Sequence, residues 1–291
     1  MGNKCKSNEM IRSIIFFLLL VFFGASAFAD EEKSAYDRVM ETQTLRCGYM
    51  SWPPLFSKEP NTGEMSGIFY EYVEAVGRAL DIKVEWVEEL TPANYIEALE
   101  AGRVDMLCSG DWPNSQRGRR IDYVDPIFFV ALYPYMREGE EAKIIDIKNL
   151  NSGDFTISII DGEMSSIIAR TDFPLAKTSD LPQMSDSTQM LMNVVTKKAD
   201  FVVTDVATGM KFQKNNPNVL TQVSLKVPVR LFPNSLSLML GEEKLRRMMN
   251  TATLELLYNG QIEKMISKYE EFPNSLYRIT LPVVKGGVNA E

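Results

Sequence analysis

Residues 104–126, VDMLCSGDWPNSQRGRRIDYVDP, decide how the rest of the chain is read. Val104 to Cys108 is brief and apolar, follows Ala101-Gly102 and is broken by Ser109-Gly110, which predicts a fully buried strand of a parallel sheet. The polar loop beyond it carries a cation, Arg117, back toward the extended segment Tyr123-Val124-Asp125-Pro126. Open α/β sheets hold their ligands at such carboxyl ends, so the loop is a candidate ligand site, with Gly110, Asp111, Trp112 and Arg117 as its residues.

Upstream, Glu32 to Thr42 reads as a leading amphipathic helix and Leu45 to Met50 as a strand. That strand ends at Ser51-Trp52-Pro53-Pro54, a corner that delivers Trp52, with Tyr49 just before it, to a cleft. Asn61-Thr62-Gly63 is a turn, and Gly67 opens a helix whose apolar positions Tyr72, Val73, Val76 and Leu80 recur at helical spacing. Lys83 to Val87 is a second strand. Thr91 as N-cap and Pro92 in the first turn then predict a helix through Ala101, which completes a β-α-β-α-β pattern at Cys108.

A second set follows downstream. Ile127 to Met136 is an apolar extended crossing. Phe155 to Ile160 is a strand, Asp161-Gly162-Glu163 a turn, and Met164 to Arg170 a helix start whose free N–H groups can receive an anion. Ser187 to Thr196 is a helix and Phe201 to Thr204 a strand, with Asp205 at its carboxyl end and able to cap the helix Val206 to Phe212. The junction Lys198-Ala199-Asp200 before this strand repeats the entry Gly102-Arg103-Val104-Asp105 of the first set. Val227 to Leu240 is a second extended crossing, and Leu245 to Tyr269 is helical with a break at Asn259-Gly260.

Composition narrows the function. The first 29 residues carry Lys4, Lys6 and Arg12, the apolar run Ile14 to Phe23 and then Ala27-Phe28-Ala29, the pattern of a secretory signal peptide cleaved before Asp30. Ten apolar residues are too few to span a bilayer, which needs about 20. Removing this segment takes away three basic and one acidic side chain, leaving 28 against 38 and a net charge of −10. Such a surface disfavours nucleic acid. Histidine is absent, which removes the commonest general base and metal ligand together, so no cofactor or metal is expected. Cys47 and Cys108 fall inside apolar strands, not in a metal spacing. An oxidising compartment can join such residues, but geometry between adjacent parallel strands is restrictive, and the expectation is two buried thiols.

Taken in order, these motifs resemble the amino-acid-type (family 3) periplasmic solute-binding proteins of ABC transporters over roughly residues 45 to 272. Ser109-Gly110, Arg117 and Tyr123-Val124-Asp125-Pro126 follow the family's strand, loop, arginine and aromatic-Ser-x-Pro order. Trp52 to Phe56 matches its aromatic-Pro-Pro-aromatic segment apart from the inserted Leu55, and Gly260 to Lys268-Tyr269 matches its closing helices. The resemblance implies an α/β, two-lobed periplasmic binding protein fold (type II), each lobe a mostly parallel sheet flanked by helices, with two hinge crossings. Lobe 1 would comprise residues 30–130 and 232–291, and lobe 2 residues 131–231. It further implies that Arg117, six residues before its aromatic, holds a ligand α-carboxylate, that the helix start at Glu163 and Met164 shares it, and that Asp205 pairs with an α-ammonium. Asn114 stands where a threonine is usual, Val124 where a serine is usual, and Glu163 and Met164 replace hydroxyl residues. The implied function is a monomeric periplasmic protein that captures a small polar solute, an amino acid or related zwitterion or cation, for a membrane permease. Rival readings are an enzyme on the same fold, similar to cyclohexadienyl dehydratases, and a periplasmic sensor or accessory protein. The dehydratase branch carries a glutamate three residues beyond the second-lobe aspartate; Thr208 stands there.

Overall fold

A computed structural model describes residues 33–144, 146–273 and 275–279. The expected signal peptide, residues 1–29, lies outside the described residues.

Lobe 1 begins with helix α1 (Ala35–Thr42), whose Ser34 N-cap oxygen accepts the Asp37 N–H. Strand β1 (Thr44–Tyr49) follows, then two short paired strands, β2 (Ser57–Lys58) and β3 (Met65–Ser66), and helix α2 (Ile68–Leu80). Gly67 at the start of α2 has φ +118°, and a Cβ there would sit 2.6 Å from the Leu55 carbonyl oxygen, so only glycine fits between corner and helix. Strand β4 (Lys83–Glu89), helix α3 (Tyr95–Glu100) and strand β5 (Met106–Asp111) complete the set. The three long strands run parallel in the order β4-β1-β5. Every residue of β5 is buried, whereas β4 alternates between exposed and half-buried positions, as a central and an edge strand should.

Two expectations need correction here. Strand β5 continues through Ser109-Gly110 to Asp111, because a distant antiparallel strand pairs with it there, Ser235 opposite Asp111. Helix α3 starts at Tyr95 and not at Pro92, with Thr91 outside it. The Asn94 side chain accepts the Thr91 N–H at 2.7 Å, which closes a polar turn where the first helical turn was expected.

The chain crosses to lobe 2 through β6 (Ile121–Tyr123) and β7 (Phe128–Arg137). There β8 (Thr156–Ile160), α4 (Met164–Asp172), β9 (Lys177–Leu181), α5 (Ser187–Val195), β10 (Phe201–Asp205), α6 (Val206–Asn215) and β11 (Leu220–Gln222) build the second sheet. It returns along β12 (Arg230–Met239) to α7 (Glu243–Tyr258), α8 (Gln261–Tyr269) and β13 (Leu276–Arg278). Gly260, at φ +78°, separates α7 from α8 where the sequence places a break. One hydrogen-bonded path, β4-β1-β5-β12-β7-β10-β8-β9, runs through both lobes. The crossing strands belong to both sheets: residues 128–132 of β7 pair with β12 and residues 132–136 with β10. Likewise β12 pairs with β7 through residues 230–234 and with β5 beyond them.

The repeated aspartates do the same work in each lobe. Asp105, 3 % exposed, accepts the Arg46 N–H at 2.7 Å and pairs with the guanidinium groups of Arg38 and Arg46. Asp200 accepts the Thr156 N–H at 2.8 Å and pairs with Arg137 at 3.3 Å. Each ties a strand entry to its neighbour.

Cys47 and Cys108 form a disulfide, which overturns the expectation of two free thiols. Cys47 is level with Met106, so Cys108 lies two places further along on the same face, and the Cα atoms come within 5.5 Å. That separation is inside the bridging range, so the parallel pairing does not forbid the bond.

Candidate functional site

A cleft of about 420 Å³ opens between the lobes, at the carboxyl ends of β1, β5, β8 and β10. Its lobe 1 wall begins at Gly110, whose φ of +96° and close approach to the Phe69 ring, 2.5 Å from where a Cβ would lie, require glycine. Asp111 follows, only 4 % exposed. Its Oδ1 accepts the Trp112 N–H at 2.8 Å and an Arg117 Nη1–H at 3.0 Å, and its Oδ2 accepts the Tyr95 hydroxyl at 3.0 Å. The Arg117 guanidinium also lies over the Tyr95 ring, 5.4 Å from its centroid. Asn114 Oδ1 accepts the Arg117 N–H at 2.9 Å, which fixes the loop where it turns toward the cleft.

Aromatic side chains form a second part of this wall. Trp112 stacks on Phe232 with centroids 5.3 Å apart, meets Trp52 edge-on at 4.9 Å and donates its Nε1–H to Asn234 Oδ1 at 3.1 Å. Both tryptophans line the cleft, where their rings offer apolar surface to a ligand.

The lobe 2 wall is built from the start of α4 and the end of β10. Ser165 Oγ accepts the Ile160 N–H at 2.9 Å, which ties the helix start to the strand that feeds it. Glu163 is the N-cap residue but makes no side-chain cap bond. Its Oε1 is buried with no hydrogen-bond partner among the described residues. Met164 beside it is buried and lines the cleft. Asp205 caps α6 by accepting the Thr208 N–H at 2.9 Å and also lines the cleft.

Burial dominates the electrostatics. It pushes the carboxyl groups of Asp111, Glu163 and Asp205 above their ordinary range. Arg117 opposes the rise at Asp111 and at Glu163, while Asp111 adds to it at Glu163. Thr208 opposes it at Asp205 through the cap bond. Burial also works against the charge on Arg117, yet Asp111, Tyr95 and Glu163 outweigh it and hold the guanidinium more firmly protonated than usual.

Of the nine residues singled out in the sequence, the structure gathers Trp52, Gly110, Asp111, Trp112, Arg117, Glu163, Met164 and Asp205 around this cleft. Tyr49 is outside it. The strand alternation turns Tyr49 to the same side as Cys47, where it stacks on Phe56 at 5.1 Å and its hydroxyl accepts from Lys58 Nζ at 2.8 Å. Arg119 and Arg120 also stay out of the cleft, and Arg120 pairs with Glu100 at 2.6 Å. Residues the sequence reading passed over include Tyr95, which anchors Asp111, and Gln183 to Ser185, which form part of the lobe 2 rim. Tyr95 carries a signal, an aromatic hydroxyl next to the turn at the carboxyl end of β4. The rim loop carries none.

Two lobes joined by paired crossing strands, with charged side chains from both converging on the cleft between them, define a type II periplasmic binding protein. The chain belongs to the bacterial extracellular solute-binding proteins, family 3, whose profile matches residues 45–272. Over 224 residues it is 22 % identical to a probable histidine-binding protein of Neisseria gonorrhoeae, covering 74 % of this chain and 78 % of that one. It is also 23 % identical over 287 residues to the membrane-bound lytic murein transglycosylase F of Vibrio parahaemolyticus, covering 88 % of this chain but only 53 % of that protein. Among solved structures, an ancestral amino acid-binding protein described as a precursor of cyclohexadienyl dehydratase superposes with a TM-score of 0.67 at 24 % identity, covering 81 % of this chain and 99 % of the other. Among the described residues no helix is long and apolar enough to cross a membrane, and no cluster of potential metal ligands occurs.

Proposed function

We propose that this protein is an extracytoplasmic solute-binding protein that captures a small polar solute, an amino acid or a related zwitterion or cation, and presents it to the membrane permease of an ABC transporter. The observation that carries this reading is the cleft itself, walled by Arg117 and Asp111 from lobe 1 and by Glu163 and Asp205 from lobe 2. A solute there touches both lobes only when they close, so binding and closure are one event. In this reading the lobes are residues 30–130 with 232–291, and 131–231, and the protein works as a periplasmic monomer without a cofactor. Asp205 and Glu163 supply the counter-charge for an ammonium or guanidinium, and the tryptophan wall supplies ring surface.

A catalytic reading on the same fold has one observation in its favour, buried carboxyl groups raised above their ordinary range in a cleft. Against it, position 208 is threonine, and its backbone N–H is engaged by Asp205. Mass spectrometry of small molecules released by denaturing the purified protein tests the binding reading, with an unmodified amine or amino acid as the expected finding. Incubation with prephenate or arogenate separates the two: chemical conversion of either would overturn the binding role.

A further inference from the structure

Among the described residues Arg117 is the one cation that lines the cleft, and its Nη1–H is already engaged by Asp111. Asp111 comes from the adjoining strand end, and its two oxygens accept from Trp112, Tyr95 and Arg117 together. A carboxyl group held on three sides and 4 % exposed cannot swing out to make room for another anion. The guanidinium and this carboxylate therefore form a neutral, fixed unit in the floor of lobe 1.

The opposite wall is closed to an anion as well. Glu163, Met164 and Ser165 at the start of α4 line the cleft, and a helix start of this kind ordinarily attracts a carboxylate. Here the chain supplies its own, Glu163, with Oε1 buried and unpartnered. A ligand carboxylate placed at this helix start would meet Glu163 in a cleft that water screens poorly. Asp205 adds a third carboxyl group from the end of β10. Once Asp111 is set against Arg117, the ionisable side chains left facing a ligand are Glu163 and Asp205, both carboxylic acids, and Trp52 and Trp112 line the same cleft.

We infer that the cleft takes an organic amine or guanidinium compound that carries no carboxylate, with Glu163 and Asp205 as its counter-ions and Asp111 as the residue that bars carboxylates by occupying Arg117. This inference rests on the solute-binding reading and narrows it. Trp52 and Trp112 cover the carbon chain of such a cation and add attraction through their rings.

Calorimetric titration of the full protein with matched pairs, arginine against agmatine and lysine against cadaverine, isolates the carboxylate. At least one amine is expected to bind ten-fold or more tightly than its parent amino acid. Glu163→Gln should weaken that amine by ten-fold or more, and Asp111→Asn, which releases Arg117, should raise the affinity of the parent amino acid. Thermal melts of the empty variants show that both are folded before they are titrated. A parent amino acid that binds as tightly as its amine, or an Asp111→Asn variant with unchanged preference, overturns the inference and leaves the solute-binding role standing. Absence of binding by all proteinogenic amino acids and the amines made by decarboxylating them overturns both.

Discussion

Glu163 stands at the start of α4 with one carboxyl oxygen buried and unpartnered, a costly position for a charge when the cleft is empty. Burial raises its pKa above the ordinary 4.5, and Asp111 adds to the rise that Arg117 restrains. A carboxyl group whose folded pKa is raised stabilises the fold below its unfolded value and loses that contribution as pH climbs through the folded one. Glutamine at this position cannot ionise. Glu163→Gln should therefore stabilise the empty protein at pH 7 by about 1 to 3 kcal/mol, the usual cost of a buried polar group without a partner. Below about pH 4, where both folded and unfolded glutamate are protonated, the gain should vanish. Urea unfolding at the two pH values measures it, and an equal gain at both would show that charge is not the cause. Retaining such a residue fits the general observation that binding sites are tolerated at some expense to stability.

At the level of elements, the bond between β1 and β5 closes a loop of 61 residues in sequence separation. Restricting the unfolded chain over such a loop contributes about 4 kcal/mol. Reduction, or the double substitution Cys47→Ser with Cys108→Ser, should lower the melting temperature by roughly 8 to 16 °C in a chain of this size. A change of under about 2 °C in differential scanning calorimetry would mean that the strands hold each other without it. The bond also marks where sequence reading stops. The long strands, both crossings and the break at Gly260 are legible because apolar runs meet glycine, proline and aspartate at their ends. Strand β9, Lys177-Thr178-Ser179-Asp180-Leu181, is polar because it lies at an edge and is paired only with β8, so it carries no apolar run to find. The end of β5 is not legible in the sequence because its last pairing partner, Ser235, arrives from 124 positions away in the chain. Asp111 could be named as a site residue from its place after Ser-Gly, but its engagement with Arg117 depends on Tyr95 and a loop turn, contacts that no local pattern announces.

For the whole molecule, the two lobes share a sheet path, so a ligand that binds only the closed, folded state should raise the stability of both at once. At a concentration 100 times its dissociation constant such a ligand adds about 2.7 kcal/mol. The expected shift in melting temperature is roughly 5 to 10 °C, in a single transition. Differential scanning fluorimetry across amines, amino acids and small carboxylates reads this directly, and a shift confined to carboxylates without an amino group would contradict the acidic cleft. Where the strands cross, Val130 lies opposite Phe232 and Ala131 opposite Leu231, so the chain leaves lobe 1 and re-enters it at adjacent points. In the gene this makes the second lobe a cassette: its two ends could be joined across an antiparallel pair by a two-residue turn, as in a hairpin. Recombination at those codons can then exchange one half of the cleft while the other keeps its fold, and a new partner for Arg117 and Asp111 need not be sought one substitution at a time.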